Sequence, residues 1–172
     1  NMVKGWAGEY FDTRTQSLLK FNYTNGKLSS GVTEFIATGN TTFNVPNSTS
    51  NLTFTGNAVN AQLAVFTEGA GLNNYKKVNK IILSSVKSDA FQGDYYSTEL
   101  DTKYSVSIKG SVWQRKIPGS DDIKAEPLLT DIFTVTGTFI IRFQRNKKDE
   151  VEGFYLSAGR VRNLYFEKVK AK

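Results

Sequence analysis

The chain has no cysteine and no histidine, and only three prolines and one methionine, in 172 residues. Without cysteine there is no disulfide framework, no thiolate nucleophile and no cysteine-ligated zinc or iron–sulfur site. Without histidine the commonest general base near neutral pH is missing, as is the commonest metal ligand, and every Ser-His-Asp or Cys-His arrangement is excluded. Long apolar runs are missing too. Phe139-Ile140-Ile141 and Ile81-Ile82-Leu83 fall far short of the roughly 20 residues a membrane helix needs, so no membrane insertion is expected. The chain does not open on a basic stretch followed by an apolar core, so any export signal is expected to lie outside it. What is present, 39% hydrophobic and 22% charged residues, is the composition of a soluble globular protein with one medium domain or two small ones.

The formal charge is +6, but its distribution argues against nucleic acid as a partner. Residues 1–86 carry seven Lys/Arg and four Asp/Glu, and residues 87–172 carry fifteen and twelve. Each half is therefore mildly basic, with both signs mixed. The densest basic cluster, Arg142 to Lys148, runs straight into Asp149, Glu150 and Glu152, which reads as a solvated surface rather than a phosphate-binding stripe.

An internal repeat organises the chain. Trp6-Ala7-Gly8-Glu9-Tyr10-Phe11 matches Phe91-Gln92-Gly93-Asp94-Tyr95-Tyr96 at an offset of 85. At the same offset Leu19, Phe21 and Tyr23 fall opposite Tyr104, Val106 and Ile108. Glu34-Phe35-Ile36 matches Glu126-Pro127-Leu128 once a longer hairpin is allowed in the second copy, and Lys77 to Leu83 is set against Arg160 to Phe166. The pattern is that of a diverged tandem duplication, with units at 1–86 and 87–172 joined near Ser84 to Asp89.

Inside each unit the apolar residues recur with period two. Leu19-Lys20-Phe21-Asn22-Tyr23 and Tyr104-Ser105-Val106-Ser107-Ile108 alternate strictly, as half-buried strands do. Asn25-Gly26 is the preferred pair for a type I′ hairpin. Thr38 to Asn57 is expected to form a long hairpin with a polar tip near Pro46 to Asn51. No stretch offers an amphipathic helix of three turns. The predicted fold class is all-β: two tandem small antiparallel up-and-down barrels, with one larger closed barrel or sandwich as the alternative. Barrels of about eight short strands have just enough interior for side chains, so Trp6, Tyr10, Phe91 and Tyr95 are read as plug and core.

Catalysis without histidine has few routes. Ser17-x-x-Lys20 and Ser84-x-x-Lys87 meet the S-x-x-K spacing, but neither lies in a helical pattern and no Lys-Thr-Gly occurs in the chain. Asp121-Asp122 and Asp149-Glu150-Val151-Glu152 read as turn carboxylates rather than as a glycosidase pair or calcium site. Gly69-Ala70-Gly71 lacks the lysine and helix of a phosphate loop. Four N-x-T/S sequons occur, at Asn22, Asn40, Asn47 and Asn51, the last three within the Asn- and Thr-rich segment 38–57. No catalytic residue, cofactor or metal site is expected in this chain.

Phe91 to Asp101, Leu128 to Phe133, Phe139 to Phe143, Glu152-Gly153-Phe154 and above all Ser157-Ala158-Gly159-Arg160-Val161-Arg162-Asn163 resemble the C-terminal β-barrel region of serine β-lactamase-like hydrolases. That family includes relatives of class C β-lactamases, D-aminopeptidases and penicillin-binding-protein-like peptidases. The resemblance covers most of residues 91–169 and reaches the first half through the repeat. It implies lipocalin-like barrels, an extracytoplasmic setting, and a non-catalytic accessory module that packs on a catalytic domain and shapes substrate access. The S-x-x-K helix and the catalytic domain itself are absent, so hydrolase activity would belong to a longer parent. Arg160, Arg162 and Trp113 are candidate interface residues, Arg160 because its planar fork binds carboxylates in two-toothed fashion. Two rivals stand beside this reading: a free-standing lipocalin-like carrier of a small apolar ligand, and a cell-wall or polysaccharide-binding module that uses Trp113 or Tyr155 as stacking faces.

Overall fold

The computed structural model describes residues 2–79, 81, 88–109, 112–116, 123–135 and 139–170. Among them the chain is all-β, with seventeen strands and two short 3-10 turns. It divides into two compact units, Asn1–Asn79 and Lys80–Lys172; the expected boundary at 86/87 lies outside the described residues.

The first unit opens with a 3-10 turn, Met2–Trp6, followed by β1 (Gly8–Asp12), β2 (Ser17–Thr24), β3 (Lys27–Ser30), β4 (Thr33–Glu34), β5 (Ile36–Ala37), β6 (Thr42–Asn44), β7 (Asn51–Thr55), β8 (Gln62–Thr67) and β9 (Gly71–Val78). Every neighbour is antiparallel, in the order β4-β3-β2-β1-β9-β8-β7-β6-β5. Asn25 and Gly26, with φ of 52° and 83°, turn β2 into β3 as their sequence requires. The hairpin expected over 38–57 is built from β6 and β7, with its tip closed by the Val45 N–H on the Ser50 carbonyl at 3.1 Å.

One detail departs from the expected closed barrel. The two edge strands, β4 and β5, are consecutive in the chain with only Phe35 between them. They amount to the fourth strand of an eight-stranded barrel, split so that one half pairs with β3 and the other with β6. The sheet thus meets itself along the chain while its ladder is interrupted. At the break the Phe35 N–H donates to the Leu28 carbonyl at 2.9 Å, and its ring packs 5.5 Å from Phe21. The second unit breaks regularity at the matching position. Its fourth strand carries Pro127, which has no N–H to give a ladder, and the register shifts between Pro127 and Leu129.

The second unit begins with the 3-10 turn Ser88–Phe91 and continues through β10 (Gly93–Ser97), β11 (Thr102–Lys109), β12 (Val112–Lys116), β13 (Ile123–Leu129), β14 (Ile132–Val135), β15 (Phe139–Arg145), β16 (Val151–Ala158) and β17 (Val161–Lys168). These eight strands form a closed barrel in sequence order.

The pairing registers place the two cores in correspondence. Phe43 pairs with Leu52, Phe54 with Leu63, and Leu63 with Tyr75; Phe133 pairs with Ile141, Phe143 with Phe154, and Phe154 with Phe166. Phe54 and Phe143 hold the same place, each donating its N–H at 2.8 Å to the carbonyl of Thr41 or Asp131. Both are aromatic hubs. Phe54 has Trp6, Tyr10, Phe21 and Phe43 within 5.7 Å, and Phe143 has Phe91, Tyr95, Phe133 and Phe154 within 5.9 Å. Each such side chain, fully buried, contributes about 1.5–3 kcal/mol of transfer free energy. Both interiors are therefore occupied by rings, as eight short strands dictate. This registration also corrects the alignment of the last strands. Tyr10 pairs with Lys77 and Tyr95 with Lys168, so Lys77 corresponds to Lys168, not to Arg160.

Candidate functional site

The repeated aromatic motif builds the same device in both units. The 3-10 turn lays an aromatic side chain, Trp6 or Phe91, against the core, where it is buried. Two donors hold the turn there. The Tyr10 hydroxyl donates to the Trp6 carbonyl at 2.9 Å and the Tyr95 hydroxyl to the Phe91 carbonyl at 2.8 Å. From the last strand, the Lys77 ammonium donates to the Gly5 carbonyl at 2.8 Å and the Lys168 ammonium to the Ala90 carbonyl at 2.7 Å. Each ammonium also stands over the tyrosine ring, at 5.9 Å and 5.7 Å from the centroid. Burial raises the pKa of both tyrosines and lowers that of both lysines, Lys168 with a smaller push from Arg145. The glycine of the motif is fixed by this crossing. Gly8 and Gly93 have φ of 137° and 135°, and a Cβ on them would meet the lysine stem at 2.7 Å and 3.1 Å.

Beside the turn each unit has a cleft under the hairpin that joins its sixth and seventh strands, the β7–β8 hairpin in one and the β15–β16 hairpin in the other. The hairpins are built alike: Asn57 Oδ1 accepts the N–H of Val59 at 2.9 Å, and Asn146 Oδ1 accepts the N–H of Lys148 at 2.9 Å. The chemistry of the clefts differs. In the second unit a cleft of about 730 Å³ is lined by Asp149, Glu150, Glu152, Glu167, Lys168 and Lys170 among others. Arg145 stands beside it, gripping Asp131 with Nε at 2.9 Å and Nη2 at 2.8 Å, donating to the Asp149 carbonyl at 2.7 Å, and lying 5.4 Å from the Phe91 ring centroid. The bond to Asp131 raises the Arg145 pKa further. In the first unit a cleft of about 750 Å³ is lined by Gly5, Trp6, Thr41, Phe54, Thr55, Gly56, Asn57 and Ala58, none of them ionisable.

The residues singled out in the sequence fall elsewhere. Arg160 and Arg162 are exposed at the turn into β17, outside both clefts. Gly159, at φ 58°, and a register shift between Leu156 and Ala158 make this a bulged hairpin, braced by the Asn163 N–H on the buried Ser157 hydroxyl at 3.2 Å. Trp113 lies on β12, opposite Ile108 and Ala125; its side chain is outside the described residues. Tyr155 has both cross-strand neighbours packed on its ring, Arg142 at 4.5 Å and Tyr165 at 4.9 Å, so its faces are occupied. Ser17 and Lys20, three apart on one strand, point to opposite faces; Ser84 to Lys87 and Asp121-Asp122 lie outside the described residues. Asp149 and Glu150 form the β15–β16 turn, and Gly69 to Gly71 the β8–β9 turn. Among the described residues no cluster of three carboxylates could hold a metal ion, and no helix is long and apolar enough to cross a membrane.

Reading the sequence missed the latching lysines, although Tyr75-x-Lys77 and Phe166-x-Lys168 repeat an aromatic-x-Lys ending on both last strands. It also missed the Asp131–Arg145 pair and the uncharged cleft, which depend on contacts between distant strands. No protein-family model matches the chain, and no curated protein matches it either.

Proposed function

We propose that the chain is a non-catalytic accessory module of a serine β-lactamase-like hydrolase, packing on the catalytic domain of a longer parent and shaping access to its substrate. The observation behind this reading is the occupied interior of each unit. Aromatic rings pack in both cores, which supports a role carried by the outer surface and its projecting hairpins. The β6–β7 hairpin, with its polar tip, is one such element in the first unit. Arg160 and Arg162 are exposed and suited to pairing with carboxylates of a neighbouring domain. The setting would be extracytoplasmic, as in the family the sequence resembles. Sequencing the reading frame upstream of the Asn1 codon tests the proposal. An S-x-x-K helix and a Lys-Thr-Gly strand are expected there; a signal peptide followed directly by Asn1 would overturn the reading.

A further inference from the structure

We propose that the outer wall of the first unit over β6 to β9 is a binding face for a neutral polysaccharide, a property separate from the accessory role. The pairing registers turn alternate residues of these strands outward, while Phe43, Leu52, Phe54, Leu63 and Tyr75 face the core. The outward residues form rows across the four strands. One row is Asn44, Asn51, Phe66 and Leu72, the next is Thr42, Thr53, Ala64 and Asn74, and a third adds Thr55, Gln62 and Lys76. Unlike the rings of the core, Phe66 and Leu72 are open to solvent, at 43% and 55% exposure. The side chains of Asn44, Asn51, Thr53, Thr55, Gln62 and Asn74 make no hydrogen bond among the described residues, so their donors and acceptors are free on one surface. Stability does not account for them. Asparagine is depleted in strands, and the fold accepts a different wall: in the second unit the row matching Thr42, Thr53, Ala64 and Asn74 reads Ile132, Arg142, Tyr155 and Tyr165. There the Arg142 guanidinium and the Tyr165 ring pack on Tyr155 at 4.5 Å and 4.9 Å, whereas the polar groups of the first unit stay unused.

The chemistry of the rows selects the occupant. They hold no carboxylate and a single cation, Lys76, too little charge for the phosphates of a nucleic acid or the headgroups of an anionic membrane. A protein partner would need an apolar centre with Tyr, Trp or Arg anchors; here the apolar part is Phe66 and Leu72 at the end of one row, and most of the remainder is amide and hydroxyl. An uncharged face is complementary to an uncharged ligand. Amides and hydroxyls both donate and accept, which matches the hydroxyls of sugars, and an exposed aromatic ring is a plate for the apolar C–H face of a pyranose. Strands about 4.8 Å apart spread these groups over about 14 Å. An outer wall encloses nothing, so an extended chain is held by many small contacts where a single sugar would be held by few.

Isothermal titration of the whole chain at about 0.15 M salt, where surface charge is screened, tests the face with dextran, mannan, laminarin and xyloglucan, and with polygalacturonate as the charged control. At least one of the neutral polysaccharides should bind saturably, with a Kd on the order of 0.1 mM, and polygalacturonate should bind more weakly. Phe66→Ala removes the plate and Asn74→Ala one amide, and each should weaken binding about fivefold. Both positions are exposed; Asn44→Ala serves in place of either if circular dichroism shows that it does not fold. Tyr155→Ala, on the second unit, should leave the affinity unchanged. The proposal is overturned by no binding of any neutral polysaccharide, by tighter binding of polygalacturonate, by binding that either folded first-unit variant leaves undiminished, or by binding lost in Tyr155→Ala. A dimer in sedimentation velocity that Phe66→Ala dissolves would overturn it too, since a second copy would then cover the wall.

Discussion

Tyr95→Phe isolates one arm of the latch without changing the volume of the core. The ring is fully buried, and its hydroxyl makes one bond, 2.8 Å to the Phe91 carbonyl. A neutral intramolecular hydrogen bond contributes about 1 kcal/mol net, and a buried acceptor left short of its donor costs about 1–3 kcal/mol; together these place the loss at about 1–2 kcal/mol. For a unit of this size each kcal/mol moves Tm by about 4–8 °C, so a fall of roughly 5–15 °C is expected by differential scanning calorimetry at pH 7. Alkaline pH supplies a second reading. Burial raises the Tyr95 pKa above its ordinary 10.0, so the folded state keeps a proton that the unfolded chain loses. The stability this provides is complete below pH 10 and is lost as pH climbs past it. Tyr10, Tyr96 and Tyr165 shift in the same direction. Lys77 and Lys168 shift downward from 10.5 and have the opposite slope, gaining stability as pH rises toward that value. The tyrosines outnumber them, so the parent should lose stability above pH 10, and Tyr95→Phe should show a shallower loss. A Tm within about 2 °C of the parent at pH 7, or an unaltered alkaline limb, would refute the latch.

Two other sites give independent outcomes. At Gly153 an added Cβ would fall on the Tyr165 hydroxyl and 2.6 Å from the Phe166 carbonyl, a backbone atom that cannot yield, so Gly153→Ala should cost about 1–3 kcal/mol by urea denaturation. Arg145→Lys keeps the charge but loses the two-toothed grip on Asp131, and at 22% exposure the expected loss, read from the same urea curves, is about 1 kcal/mol.

The aromatic-x-Gly-acid-aromatic motif was legible because it is local: its turn, its first strand and its tyrosine lie within a few residues, and the offset of 85 holds from Trp6 to Phe21. Period-two alternation likewise made the strands legible, since one face of each must be buried. Beyond the fourth strand the two copies were harder to align. The second has longer connections, so equivalent residues drift to 90 apart at Phe43 and Phe133 and 91 apart at Lys77 and Lys168. With chemically simple residues on both sides, a sequence match could slide by the length of a strand, and it did so for the last one, where Lys77 falls opposite Lys168 rather than Arg160. The split at Phe35 was hidden for another reason: the residues around it look like one strand, and only pairing shows that its halves serve different neighbours. The uncharged cleft was invisible because its lining is assembled from three segments distant in sequence, Gly5 and Trp6, Thr41, and Phe54 to Ala58.

The glycine and the lysine of the latch are far apart in sequence but should behave energetically as a pair. Alanine at Gly93 carries two penalties. One is the backbone conformation, φ 135°, which a side chain rarely adopts; the other is the approach of its Cβ to the Lys168 Cε at 3.1 Å. Truncating the lysine relieves the second and leaves the first untouched. Gly93→Ala alone should therefore cost about 1–3 kcal/mol, and in a Lys168→Ala background it should cost less, with a coupling of about 0.5–1 kcal/mol in a double-mutant cycle. The first unit sets the scale, since its contact is closer, 2.7 Å from the Gly8 Cβ position to Lys77 Cε. The coupling between Gly8→Ala and Lys77→Ala should be the larger of the two. Denaturation curves of the six variants decide it: additive losses at both stations would mean that the lysine stem swings aside freely, and that glycine is held there by backbone conformation alone.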